Sequence, residues 1–166
     1  MRRQRLIRDQ RGFALVEFAL VLPLLLLLLL GMVEFGRAIN YWIDETHLAN
    51  EAARFASVNR NPGTAPATLQ EYIRSQATTE ELRDGDDADP SGVPTTGRAR
   101  VCIEFPASGT SGGPNVGDPV EVTVTATFNW LPFVGNALGD TSTQITGRAT
   151  MRLEARPTNV AAGCSS

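Results

Sequence analysis

The chain has 166 residues, 42% hydrophobic and 20% charged, enough for one domain of ordinary size and too little for a multidomain enzyme. All fifteen Lys+Arg residues are arginine and the formal net charge is -3, a balance that points neither to a nucleic-acid binder nor to a strongly acidic tail. The charge is sorted by position: residues 1–11 carry five Arg against Asp9, a net +4, whereas the chain after Ile43 carries nine Arg against fifteen Asp and Glu, a net -6.

Between these regions lies Phe13–Val33, FALVEFALVLPLLLLLLLGMV, with one charge (Glu17) in twenty-one residues and a seven-leucine run at Leu24–Leu30. At about 1.5 Å per residue a helix of this length spans roughly 30 Å, the thickness of a bilayer's hydrocarbon core. The segment has no polar face, so it reads as a membrane helix. The Arg cluster before it and the acidic region after it predict a cytoplasmic N-terminus and an extracytoplasmic C-terminal domain.

Three readings of this helix compete: a plain anchor, a cleavable secretory signal, and a prepilin-type leader whose apolar helix stays on the mature chain. A secretory signal needs an apolar core of about 7–15 residues and a small-x-small cleavage site; this stretch is too long, and GMVEFGRAINYW after Leu30 offers a poor match. Arg2-Arg3 lacks the rest of a twin-arginine motif. The third reading accounts for Glu17, an acid five positions after Gly12. Taken alone, Glu17 can be a carboxylate snorkelling to the interface. Cleavage after Gly12 would instead create an α-amine at Phe13, one helical turn away on the same or a neighbouring chain, and the opposite charges would offset desolvation.

The string Arg11-Gly12-Phe13-Ala14-Leu15-Val16-Glu17-Phe18-Ala19-Leu20, followed by Pro23, Leu24–Leu30, Gly31 and Glu34-Phe35-Gly36-Arg37, resembles the N-terminal signature of TadE-like pseudopilins of the tight-adherence (Flp, type IVb) pilus system. The resemblance covers about residues 11–37. It implies processing between Gly12 and Phe13 by an aspartic-type prepilin peptidase, an assembly role for Glu17 with its neighbour Phe18, and a minor component, since the major subunits of such pili are much shorter. The partners it implies are membrane lipid, the peptidase, other pilins or pseudopilins and the Tad assembly platform.

Beyond the membrane, residues 38–60 read AINYWIDETHLANEAARFASVNR, with no Gly or Pro until Pro62, so the helix continues as a stalk. Ile39, Trp42, Ile43, Thr46, Ala49, Ala53 and Ala56 recur at three- and four-residue steps and predict one packed stripe. Tyr41 and Trp42 fall where aromatic residues favour the headgroup zone. Asn59, Asn61, Pro62 and Gly63 supply turn chemistry. His47, the single histidine, reads as a partly exposed polar side chain, and with no second His or adjacent Cys no zinc site is expected.

In the remaining external part, residues 66–83 are compatible with a second helix turning Leu69, Tyr72, Ile73 and Leu82 inward. Asp84-Gly85-Asp86-Asp87-Ala88-Asp89-Pro90 clusters four acids but lacks the calcium-loop pattern and reads as a solvated loop, extended by a disordered Pro90–Gly97 run. Arg98–Phe105, Val120–Trp130 and Ile145–Ala155 alternate with period two and predict three antiparallel strands with one wet face, joined by Ser108–Pro119 and Leu131–Asp140. Thr150–Glu154 also resembles the closing strand of TadE-like proteins. Cys102 and Cys164 are an even pair on the oxidising side and support one disulfide tying down the Gly/Ser tail; the alternative is a buried Cys102 and a free Cys164.

The expected organisation is a basic cytoplasmic leader (1–12), a transmembrane helix (13–36), its extension outside the membrane (37–60) and an external α+β domain (61–166). The expected fold class is α+β and pilin-like, a long N-terminal helix packed on a small antiparallel sheet. No nucleophile elbow, phosphate-cradling loop or paired carboxylates stand out, and Gly112-Gly113 reads as loop flexibility, so no enzymatic activity, cofactor, metal, nucleic acid or small-molecule substrate is expected. The function read from these features is a minor pseudopilin; the alternative is an unprocessed single-pass envelope protein whose external domain binds a partner.

Overall fold

The computed structural model describes residues 10–65, 67–84, 97–106, 114–130 and 142–165. The chain divides into two compact units, Met1–Gly36 and Arg37–Ser166. One helix, α1 (Gln10–Ser57), runs 48 residues and contains Pro23 without ending there. In the first unit every large apolar side chain from Phe13 to Val33 except the half-buried Leu22 is exposed, from 42% at Leu30 to 75% at Leu20. Leucine and alanine favour helix, but none of this unit's described residues covers their side chains.

The second unit is α+β. After α1 come α2 (Leu69–Ser75), α3 (Glu80–Asp84), β1 (Arg100–Glu104), β2 (Pro119–Asn129), β3 (Ser142–Arg152) and β4 (Gly163–Cys164). The strands form one antiparallel sheet in the order β3-β2-β1-β4. The long pairing of β2 with β3 runs from Pro119 opposite Arg152 to Asn129 opposite Ser142. Period-two alternation buries Val120, Val122, Val124, Ala126 and Phe128 on one face of β2, beside Val101 and Ile103 of β1 and Ala149 of β3.

That face meets the second part of α1. Leu48, Ala49, Ala52, Ala53 and Ala56 are fully buried, and alanines let the helix backbone approach closely. The closest approach is at Gly147 of β3, where a Cβ would stand 2.5 Å from the carbonyl carbon and oxygen of Glu45; only glycine fits there. Tyr41 packs edge-on to Phe128, ring centroids 5.2 Å apart, and the Arg37 guanidinium lies 5.5 Å from the same ring's centroid. Leu69, Ile73 and Leu82 close the core from α2 and α3.

The helix ends by a left-handed turn. Asn59 has φ 54, and the Arg60 N–H donates to the Phe55 carbonyl at 2.9 Å, a Schellman-type closure. The same asparagine accepts from the Asn159 N–H at 2.7 Å and donates to Thr158 Oγ1 at 2.8 Å, while the Ser57 carbonyl accepts from the Glu154 N–H at 2.8 Å. The end of α1 is thereby fixed to residues 154–159. The tail is fixed again at β4, where Cys102 and Cys164 form a disulfide and Ser165 pairs with Val101 through both backbone and hydroxyl.

Four details differ from the sequence reading. On α1, Ala49, Ala53 and Ala56 are buried, but Ile39, Trp42 and Ile43 are more than half exposed, and the inward face is carried up the helix by Tyr41, Asp44, Glu45 and Leu48 instead; the close contact at Gly147 fixes this rotation. Tyr41 is accordingly core and not a headgroup residue, being 3% exposed. The single helix expected over 66–83 is two, because Gln76 caps α2 and the chain turns before Glu80. A fourth strand, β4, is added where three were expected, held by pairing too short to leave a periodic signal. The acidic loop beyond Asp84, Gly112-Gly113 and the link Leu131–Asp140 lie outside the described residues.

Candidate functional site: an exposed apolar helix and a buried acid

Gly12 and Phe13 lie on α1, with open space around Gly12 and Phe13 74% exposed. Glu17 is exposed one turn further on, at the i+4 position that shares a helix face with Phe13, and Phe18 beside it is 59% exposed. The helix brings Phe13 and Glu17 onto one side of the same element; it gathers no catalytic group with them. Among the described residues no three His, Cys, Asp or Glu side chains come together in a way that could hold a metal ion. His47 is exposed, on the rim of a recess of about 230 Å³ with Asn40, Asp44 and Thr79.

The acids that the sequence reading passed over are Asp44 and Glu45. Asp44 Oδ2 accepts hydrogen bonds from the Thr78 N–H at 3.1 Å, the Thr79 N–H at 3.0 Å and the Thr79 hydroxyl at 3.0 Å. It thus satisfies the amides of the turn that opens α3. Glu45 is 0% exposed and neither carboxyl oxygen makes a hydrogen bond. Burial pushes its pKa up to about 8; the Ala126 and Gly147 backbone amides pull the other way without closing a hydrogen bond, and the charge of Asp44 adds to the rise. A signal for it existed: Tyr41, Glu45, Leu48 and Ala52 keep the i, i+4, i+7 spacing of a buried face. Composition disguised it, because an acid is read as solvated by default.

The stretch Gly12–Ser57 of α1 is long and apolar enough to cross a membrane, and none of its most apolar window is buried. Length, composition and exposure together define the class: a membrane-capable helix continuous in sequence with a small α+β unit. The family model of TadE-like proteins matches residues 12–54, so this N-terminal segment is similar to TadE-like proteins, while residues 55–166 lie beyond the match. The match supports a component related to Tad pili. No curated protein and no solved structure matches the chain.

Proposed function

We propose that the protein is a minor pseudopilin, a structural subunit of a Tad (Flp) type IVb pilus or a related secretion machine. The observation that carries this reading is the coincidence of the TadE-like match, which begins at Gly12, with a helix whose apolar side chains from Phe13 to Val33 are exposed nearly all round. Such a surface needs lipid before assembly and can exchange lipid for neighbouring helices afterwards. In this reading residues 1–12 are a cytoplasmic leader removed by a prepilin peptidase between Gly12 and Phe13, and residues 37–166 stand outside the membrane. Glu17 then faces the new α-amine of Phe13, on its own chain or a neighbour's, and the pair lowers the cost of a carboxylate in a low-dielectric bundle. The expected partners are membrane lipid, the peptidase, other pilins or pseudopilins and the assembly platform.

The intact mass of the membrane-extracted protein, from its own host and from the same host lacking the peptidase, tests this. Peptidase-dependent loss of residues 1–12 is the expected result, and Gly12→Asp is expected to abolish it. Glu17→Ala is expected to leave the loss of residues 1–12 intact and to stop assembly. A full-length mass in both hosts would favour the alternative, an unprocessed envelope protein whose α+β unit recognises a partner. That alternative draws on residues 55–166, which have no counterpart in the family match.

A further inference from the structure

Buried acids are ordinarily paired, and Glu45 is the departure from that rule in this fold. Its side chain is wholly enclosed, with both oxygens unbonded, at the level where the α1 backbone presses on Gly147. At this closeness the helix cannot approach the sheet further, and the docked carboxyl has no exposure to water. Its sequence neighbour behaves differently: Asp44 spends its charge on three donors before α3.

Among the described residues no cation is placed to serve Glu45. On the sheet side, the inner-face residues of β2 and β3 at this level, Val124, Ala126, Phe128, Ile145 and Ala149, carry no ionisable group. On the inward side of α1 the charged and titratable groups are Asp44, which repels, the Tyr41 phenol one turn before, Arg37 two turns before, whose guanidinium lies over the Phe128 ring, and the buried Glu34 three turns before. His47 is on the exposed side. From the direction of α3, Thr78 and Thr79 bring hydrogen-bond donors that Asp44 already occupies. A carboxylate in such a place costs several kcal/mol unless it takes up a proton.

We propose that Glu45 makes the seam between the second part of α1 and the β2–β3 sheet proton-dependent: protonated, it lets the helix stay docked, and its ionisation loosens residues 41–49 from the sheet. The direction follows from linkage. The docked state holds a proton that the undocked, solvated carboxyl releases near its ordinary value of 4.5, whereas the docked value is about 8. Docking is therefore strongest below 4.5, weakens as pH rises through the window between these values, and levels off above about 8. An envelope subunit built this way is tighter in acidic surroundings and more open in alkaline ones.

Hydrogen exchange on the full chain in detergent micelles, corrected for the intrinsic pH dependence of exchange, tests this. In the wild type, protection of the residue 41–49 amides is expected to fall about tenfold per pH unit between about 5 and 8. Glu45→Gln keeps the volume and the neutral state and removes the titration, and its protection is expected to be flat across that range. A flat wild-type profile overturns the proposal without any variant, and so does a Glu45→Gln profile that falls as steeply as the wild type. Should Glu45→Gln fail to fold, Glu45→Met offers the same neutral comparison, and the wild-type slope still decides.

Discussion

Leucines and alanines of one helix meet opposite fates on either side of Gly36. From Phe13 to Val33 nearly every large apolar side chain is exposed, Leu28 among them at 53%; from Tyr41 to Ala56 one face is sealed, with Leu48 at 0%. Helix propensity does not separate the two parts, since both are rich in good helix formers. What separates them is the availability of a covering surface. The second part carries polar residues on its outer side and alanines on its inner side, so a sheet can approach it, and glycine at position 147 lets the two backbones nearly touch. The first part has no such division and leaves its covering to lipid or to other helices. Secondary structure is thus shared along α1, while the stabilising solvent is not.

The sharpest way to break this comparison is one substitution made twice. Leu48→Ala removes a fully enclosed side chain and is expected to destabilise the α+β unit by about 3 kcal/mol, the transfer and cavity terms together. Leu28→Ala, the same chemical change on the same helix, is expected to shift that unit's unfolding by less than about 0.5 kcal/mol. Denaturant melts of the full chain in micelles, followed by the fluorescence of Trp130, which packs on the core, check both. Equal losses would mean that the apolar surface of the first unit is already committed to the fold. Gly147→Ala comes next: its Cβ would meet the Glu45 backbone and not a yielding side-chain tip, so the helix must lift, at a cost of about 2 kcal/mol.

The membrane-length helix and the period-two strands were legible because each is a strong, local, repetitive pattern: one charge in twenty-one residues, and Val120-Val122-Val124 alternating with polar partners. The TadE-like segment was legible for the same reason, as a short string around Gly12 and Glu17 that the family match independently covers. The rotation of α1 was not. Ile39, Trp42 and Ile43 are more hydrophobic than Asp44 and Glu45, and only the long-range contact with Gly147, a hundred residues on, decides that the acids turn inward. The two-residue β4 was equally hidden, because its strand character lies in its pairing with Cys102 and Ile103 and not in its own residues. The break between α2 and α3 depends on Asp44, a partner more than thirty residues upstream.

That break supplies the smallest and most local of the effects expected. Asp44 Oδ2 holds the turn at Thr78 and Thr79 through three hydrogen bonds, and α3 has only five residues over which to earn its own stability, far fewer than an isolated helix needs. Asp44→Ala is expected to cost about 1 kcal/mol overall and to concentrate that loss in exchange protection of residues 80–84, leaving β2 and β3 unchanged. Asp44→Asn retains an acceptor oxygen without the charge and is expected to recover about half of it. Asp44 also repels Glu45, so either variant is expected to lower the docked Glu45 pKa and end the loosening of α1 at a lower pH with a smaller total loss, its onset near 4.5 unchanged, a coupling that a purely local cap would not produce. If the loss spread evenly over the sheet, α3 would be an integral part of the core and not a separately hinged turn hung on one carboxylate.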